Sequence, residues 1–109
     1  MSYAVNITHS ASRDIEEAAD YIEYSLKNPD AADKLLKAIE EKLETLTNYP
    51  KKYALVSDEL LSARGVRFLQ IGNYMAFYVI DEADRAVYVI RFLYNRRDWK
   101  HLLVSDYTR

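Results

Sequence analysis

The sequence contains no cysteine, and it has only two glycines and two prolines among its 109 residues. Without cysteine the chain has neither a disulfide framework nor a thiolate metal site. The longest apolar run, residues 74–80, is too short to span a bilayer, and the first ten residues lack the basic and apolar regions of a signal peptide. These absences favour a cytoplasmic protein that does not associate with a membrane.

Motifs for metals and nucleotides are also missing. The histidines, aspartates and glutamates do not have the spacing of metal ligands, and no glycine-rich loop is present to surround a phosphate. We therefore expect no metal and no cofactor.

The charge of the chain is distributed unevenly. Residues 1–63 contain seven basic and twelve acidic residues, a net charge of −5, whereas residues 64–109 contain eight and five, a net charge of +3. In the second half every basic residue except Lys100 is an arginine, and the planar guanidinium suits carboxylate and phosphate recognition. The second half is therefore expected to face an anionic partner.

The first half of the chain predicts one strand and two helices. Residues 3–8 alternate apolar and polar side chains, as in a strand with one buried face. Ser10 or Ser12 is the expected cap of the first helix, and Asn28 that of the second, which runs over residues 29–47. Apolar residues at helical spacing predict the buried faces of these helices: Ile15, Ala18, Ala19, Ile22 and Leu26 in the first, and Ala32, Leu35, Leu36, Ile39, Leu43 and Leu46 in the second.

The second half predicts three consecutive strands, at residues 64–71, 74–80 and 86–94, rich in Val, Ile, Phe and Tyr. A connector at residues 51–63 precedes them. A short helix at residues 100–104 and a frayed tail at 105–109 follow. The order β-α-α-β-β-β predicts a single α+β domain over residues 1–109, with a mostly antiparallel sheet. An N-terminal helical hairpin covers one face of this sheet, the other face stays partly open, and a short C-terminal helix ends the chain.

Several stretches together resemble a known family. They are SRDIEEAADYI within residues 11–24, the joint at residues 28–32, Arg67 with residues 74–82, and residues 87–98. In this order the stretches resemble the RelE/ParE superfamily of type II toxins, over residues 3 to about 103. The resemblance implies a toxin that a cognate antitoxin neutralises.

The superfamily implies two targets, DNA gyrase for ParE-like members and mRNA on the ribosome for RelE-like endoribonucleases. The two long N-terminal helices and the Arg-Arg-Asp sequence at residues 96–98 look more like ParE. RelE-like nucleases typically carry an arginine where this chain has Met75, and they are strongly basic overall. We therefore expect a gyrase inhibitor, with a metal-independent endoribonuclease as the alternative and an antitoxin-binding module without toxicity as a third possibility.

The expected working surface lies at the end of the sheet and on the arginines that lead to it. The residues expected to contact the antitoxin or the target are Arg64, Arg67, Arg91, Tyr94, Arg96, Arg97 and Trp99. If the chain is a nuclease, the expected catalytic residues are Arg67, Arg91, Tyr94, Arg96, Arg97 and His101, because arginines stabilise a pentavalent phosphate and Tyr or His transfers protons.

Structural roles compete with these assignments. His101 is more readily a surface or packing residue. Arg96 and Arg97 can pair with Asp98, which is itself the expected cap of the last helix. Trp99 is expected to pack that helix against the sheet. Arg64 and Arg67 can pair with acidic residues of the helices, and Arg67 and Arg91 can do so within the sheet.

Overall fold

A computed structural model describes residues 2–95 and 97–107, except for the side chain of Tyr107. The elements, in chain order, are β1 (Ala4–Ile7), α1 (His9–Asp20), α2 (Pro29–Glu44), α3 (Glu59–Ala63), β2 (Arg67–Ile71), β3 (Tyr74–Asp81), β4 (Ala86–Tyr94) and α4 (Trp99–Tyr107). A π-helical turn, Tyr21–Ser25, extends α1, and a 3₁₀ turn, Thr45–Thr47, extends α2. Arg96 and the last two residues lie outside the described residues.

The four strands form one sheet in the order β1-β4-β3-β2. β2, β3 and β4 are antiparallel neighbours, and β1 lies parallel to β4 at the edge. Gly72, with φ of 59°, allows the tight turn between β2 and β3, and Arg85, with φ of 50°, ends the turn between β3 and β4. The α+β class and the mostly antiparallel sheet are confirmed.

One face of the sheet packs against the helical hairpin of α1 and α2. The core on this side contains Ile39 and Leu43 from α2 together with Leu69, Tyr78 and Val87 from three strands. As predicted, Asn28 caps α2 by accepting a hydrogen bond from the Ala31 N–H, and Pro29 stands at the start of the helix.

The opposite face of the sheet is covered more fully than the sequence predicted. Phe77 and Leu93 from the sheet pack there with Leu61 of α3 and with Leu103 of α4, and all four are buried. The C-terminal helix begins at Trp99 and continues to Tyr107, so the predicted tail is wrong for residues 105–107. The second face is therefore a second core, and the expectation of an open face is wrong over this area.

Three predictions of local structure in the first half are wrong: the cap of α1, and the burial of Leu26 and of Leu36, which is 42% exposed. Thr8 caps α1, because its hydroxyl accepts a hydrogen bond from the Ala11 N–H at 3.3 Å, and neither Ser10 nor Ser12 does so. Leu26 was expected on the buried face of the first helix but is 56% exposed. The π-helical turn before it inserts an extra residue per turn and rotates the following side chains away from the buried face.

The connector also contains structure that the sequence analysis missed. Asp58 caps α3 through a hydrogen bond from the Leu61 N–H at 3.1 Å. Arg64 ends this helix instead of starting a strand, because Gly65 follows with φ of 79° and turns the chain. β2 consequently begins at Arg67, three residues later than predicted. None of the helices in the described part of the chain is long and apolar enough to cross a membrane.

Candidate functional site

A groove of about 660 Å³ runs between α1 and the second half of β4. We call it the apolar groove, and its lining residues are Asp14, Glu17, Ala18, Tyr21, Ile22, Leu26, Asn73, Tyr74, Phe92, Leu93, Tyr94 and Arg97. Tyr21 and Leu26 are each 56% exposed, so a substantial apolar surface at this groove is in contact with water. Such a surface is typical of a binding site for another protein.

The aromatic floor of the apolar groove is held by ring contacts. Tyr74 stacks on Phe92 with ring centroids 4.9 Å apart, and its edge meets the Tyr94 ring at 5.5 Å. Burial is the main cause that raises the pKa of the Tyr74 hydroxyl. Tyr94 is 38% exposed and can therefore contact a bound partner.

An ion pair closes one end of the apolar groove. The Asp14 carboxylate accepts two hydrogen bonds from Arg91, at 2.7 Å from Nε and 3.1 Å from Nη2. Asp14 also accepts a hydrogen bond from the Phe92 N–H at 3.0 Å, so it satisfies a donor on the part of β4 that β1 does not reach. The hydrogen bonds that Arg91 donates to Asp14 raise the pKa of the guanidinium further above its ordinary value.

Arg91 also joins α4 to this ion pair. Its Nη1 lies 3.2 Å from the Asp106 carboxylate. The Arg91 and Asp14 side chains are only 17% and 11% exposed. Both acidic partners therefore neutralise Arg91, and α1, β4 and α4 are tied together at one point.

Two further arginines, Arg13 and Arg97, stand beside this ion pair. A second groove of about 360 Å³, which we call the polar groove, is lined by Ser10, Arg13, Asp14, Glu17, Arg91, Arg97, Leu102, Ser105 and Asp106. Arg97 is exposed, and it lines both grooves. Its backbone N–H donates to the Tyr94 carbonyl at 3.0 Å, which fixes the turn after β4. Arg97 thus places a positive charge where apolar and polar surfaces meet.

The sequence matches a model that represents one protein family. The model for the ParE toxin of the type II toxin–antitoxin system parDE matches residues 5–99. The chain belongs to the ParE toxin family. Comparison of this ParE-family chain with curated protein sequences finds no match.

Solved structures share the fold of this ParE-family chain. A chain of the chromosomal ParDE toxin–antitoxin system of P. aeruginosa has a TM-score of 0.68 at 20% identity, over 84% of this chain and 95% of that one. A chain of the RelBE2 toxin–antitoxin complex of Mycobacterium tuberculosis has a TM-score of 0.63 at 24% identity, over 86% and 99%. A chain of the RelE–RelB complex of Pyrococcus horikoshii OT3 has a TM-score of 0.59 at 15% identity, over 89% and 99%. At these identities the likeness shows the fold.

The residues predicted for the site occupy different parts of this ParE-family fold. Arg91, Tyr94 and Arg97 come together around the two grooves. Arg64 and Arg67 line neither groove, and the Arg67 Nη1 donates to the Tyr53 carbonyl at 2.7 Å. Arg96 lies outside the described residues.

The two predicted residues on α4 have structural contacts. The Trp99 ring packs 5.2 Å from the Phe77 ring, as predicted for a residue that holds the last helix. His101 is exposed, and its backbone N–H donates to Asp98 at 3.3 Å, so Asp98 is the predicted cap.

Asp14 and Arg13 were missed as parts of the site. Asp14 was not among the residues predicted for the site. It lies four and seven residues before Ala18 and Tyr21, and all three line the apolar groove, so the shared face of α1 was the signal that the sequence offered. That partner is 77 residues away in sequence, so the spacing along the chain could not identify it.

Proposed function

We propose that this toxin inhibits DNA gyrase by binding it in the cytoplasm, and that a cognate antitoxin neutralises the toxin. One observation carries the proposal: the apolar groove combines exposed Tyr21 and Tyr94 with the positive charge of Arg97. Aromatic residues and arginine are the side chains that contribute most to protein–protein binding. An apolar groove beside a cation suits an acidic, partly apolar protein segment better than it suits a small substrate.

The hydrogen bonds that Arg67 and Arg91 already make within the protein favour a binding function over a catalytic one. A metal-free nuclease needs arginines that can reach a phosphate. Here Arg91 is bonded to two carboxylates, and Arg67 to a backbone carbonyl. His101 lines neither groove. Endoribonuclease activity on ribosome-bound mRNA remains the alternative to gyrase inhibition.

The antitoxin is proposed to cover the apolar groove with a helix or a strand from its acidic part. An amphipathic helix could place its apolar face on Tyr21 and Ile22. An extended segment could instead lie along the apolar groove beside Tyr94, since Asp14 already bonds the Phe92 N–H at the edge of β4. In either arrangement a carboxylate of the antitoxin would meet Arg97. We therefore expect the neighbouring reading frame to encode a short protein with an acidic C-terminal half.

Controlled expression in a bacterium tests the toxin and the antitoxin together. We expect growth to stop when the chain is expressed alone and to recover when the adjacent reading frame is expressed with it. Growth that is unaffected by the chain alone, while the purified chain still binds the neighbour's product, would instead indicate a module without toxicity.

Two assays with purified protein distinguish the targets. We expect the chain to inhibit DNA supercoiling by gyrase and to leave mRNA on programmed ribosomes intact. Cleaved mRNA with unaffected supercoiling would replace the gyrase proposal with the nuclease alternative.

Arg97→Ala tests the site within the same assays. Because Arg97 is exposed, we expect the free energy of unfolding to change by less than about 0.5 kcal/mol while antitoxin binding weakens about tenfold. Lys37→Ala removes an equal charge from an exposed position on α2 and serves as the control. Equal antitoxin affinity for the two variants would remove Arg97 from the site.

A further inference from the structure

The outer edge of β1 has backbone hydrogen-bonding groups that no other strand pairs with in the part of the chain that the structure describes. The Ala4 N–H donates to the Arg85 carbonyl and the Thr8 N–H to the Val89 carbonyl, each at 3.0 Å. Since residues of a parallel strand alternate in the neighbour that they face, the even-numbered residues bond β4. The N–H and C=O groups of Val5 and Ile7 therefore point away from the sheet, where no further strand lies in the described part of the chain.

An apolar groove of about 420 Å³ lies beside this edge, under α1 and α2, and we call it the edge groove. Ile7, which is 46% exposed, and Leu36, which is 42% exposed, line it together with partly buried Val5 and Ile15. An extended chain that pairs with Val5 and Ile7 would place every second side chain on the same face of the sheet, over the edge groove. A helix could not bond these backbone groups. The geometry thus selects an extended segment.

The charges at the edge groove indicate what the segment carries. Glu40 and Glu44 line the edge groove, and neither belongs to a salt bridge among the described residues. A second copy of this chain that paired through β1 would bring its own Glu40 and Glu44 beside the first pair, and like charges would oppose the contact. Lysines or arginines that flank a partner's strand would be attracted instead.

We propose that the β1 edge binds an extended segment of a partner protein whose alternate residues are apolar and whose ends carry lysine or arginine. The apolar residues pack over Ile7 and Leu36, and the basic ends reach Glu40 and Glu44. The edge groove shares no lining residue with the apolar groove, and the charge beside it has the opposite sign to that of Arg97. The chain thus has a second binding surface, and this inference does not depend on the gyrase proposal.

Two labelled peptides and the purified full-length chain test the proposal. One blocked peptide alternates valine and threonine with a lysine at each end, and the other has a glutamate at each end. We expect the lysine peptide to bind about tenfold more tightly, measured by fluorescence anisotropy at low salt. In Glu40→Lys/Glu44→Lys the preference should reverse. Equal binding of the two peptides, or binding of neither, overturns the proposal.

Variants of β1 show whether the edge itself is used. Val5→Pro removes an outward N–H and leaves the bonds to β4 in place, because proline is tolerated on edge strands. Ile7→Lys puts a charge on the edge and is matched by Leu60→Lys, since Leu60 is 43% exposed on α3. We expect peptide binding to be lost in both β1 variants and kept in Leu60→Lys.

The oligomeric state decides between a partner and a second copy. We expect the chain to remain a monomer by light scattering at concentrations where the lysine peptide binds. A dimer that Ile7→Lys dissociates and Leu60→Lys does not would identify a second copy as the occupant and overturn the proposal.

Discussion

Asp14 is the residue on which the geometry beside the grooves depends. It accepts both Arg91 bonds and the Phe92 N–H, and its side chain is 11% exposed. Removing one partner of a buried ion pair leaves the other charge desolvated, and this costs more than the pair itself contributes. The same carboxylate therefore stabilises the fold and keeps Arg91 away from solvent.

We predict that Asp14→Asn lowers the free energy of unfolding by about 3 kcal/mol, because Arg91 loses its bidentate partner. Asp106→Asn is the matched variant on the other side of Arg91. The Asp106 side chain is 44% exposed, so its loss should cost no more than about 1 kcal/mol. Urea unfolding measures both values. Equal effects of the two variants would show that Asp14 does not hold Arg91 in the way that the structure indicates.

Tyr78 gives the protein a pH dependence in the alkaline range. Burial is the main cause that raises its pKa to about 12, and its hydroxyl donates to the Pro50 carbonyl at 2.6 Å. Because the folded state holds the proton more tightly than the unfolded state, the stabilisation is complete below about pH 10 and is lost as the pH rises to about 12.

The free energy of unfolding should fall between about pH 10 and pH 12, and we predict that in Tyr78→Phe this fall is smaller by on the order of 2 kcal/mol. Urea unfolding at several pH values measures it. Near neutral pH the same variant should cost about 1 kcal/mol through the lost hydrogen bond. Tyr49→Phe, which removes a phenol that is 69% exposed, is the control. An alkaline transition unchanged by Tyr78→Phe would place its origin elsewhere.

At the scale of elements, Thr8 connects the end of β1 to the start of α1. Its hydroxyl accepts from the Ala11 N–H at 3.3 Å and donates to the Val89 carbonyl at 2.9 Å. We predict that Thr8→Ala lowers the free energy of unfolding by about 1 to 2 kcal/mol, because a helix cap and a link to β4 are lost together.

Ser12→Ala is the matched control, since Ser12 was an expected cap and the structure places it inside α1. It should change the free energy of unfolding by less than about 0.5 kcal/mol. A larger effect of Ser12→Ala than of Thr8→Ala, measured by thermal or urea unfolding, would favour the cap that the sequence suggested.

The elements that the sequence predicted best are those whose pattern is local. β4 has the predicted ends, since a run rich in Val, Ile, Phe and Tyr lies between a polar turn and the turn before Asp98. α3 was missed because five residues are too few to show a helical period. The exposure of Leu26 depends on the π-helical turn before it. Apolar residues spaced for an ordinary helix of 3.6 residues per turn do not predict such a turn.

The same distinction holds for the candidate site, where residues placed by local pattern were predicted and long-range contacts were not. The sequence placed Tyr94 and Arg97 at the end of the sheet, because Tyr94 ends the last predicted strand and Arg97 lies in the turn after it. It did not place Asp14 beside Arg91, because that contact joins an early helix to the last strand. Long-range pairs of this kind arise from the packing of α1 on β4, which local pattern does not determine.

At the scale of the whole molecule, one sheet carries two cores. Leu69 belongs to the core under the helical hairpin and Leu103 to the core under α4, and they are 1% and 0% exposed. β3 and β4 contribute side chains to both, through residues such as Phe77 and Tyr78 that alternate between the faces. If one core is lost, the face of β3 and β4 opposite the remaining core therefore becomes exposed to solvent.

We predict that Leu69→Ala and Leu103→Ala each lower the free energy of unfolding by about 3 kcal/mol and shift one and the same cooperative transition. Circular dichroism and tryptophan fluorescence should report the same midpoint, because Trp99 packs on the sheet. Leu60→Ala, at a leucine that is 43% exposed, should cost less than about 1 kcal/mol. If Leu103→Ala shifted only the fluorescence transition, α4 would unfold as a separate unit, and the sheet would not couple the two cores.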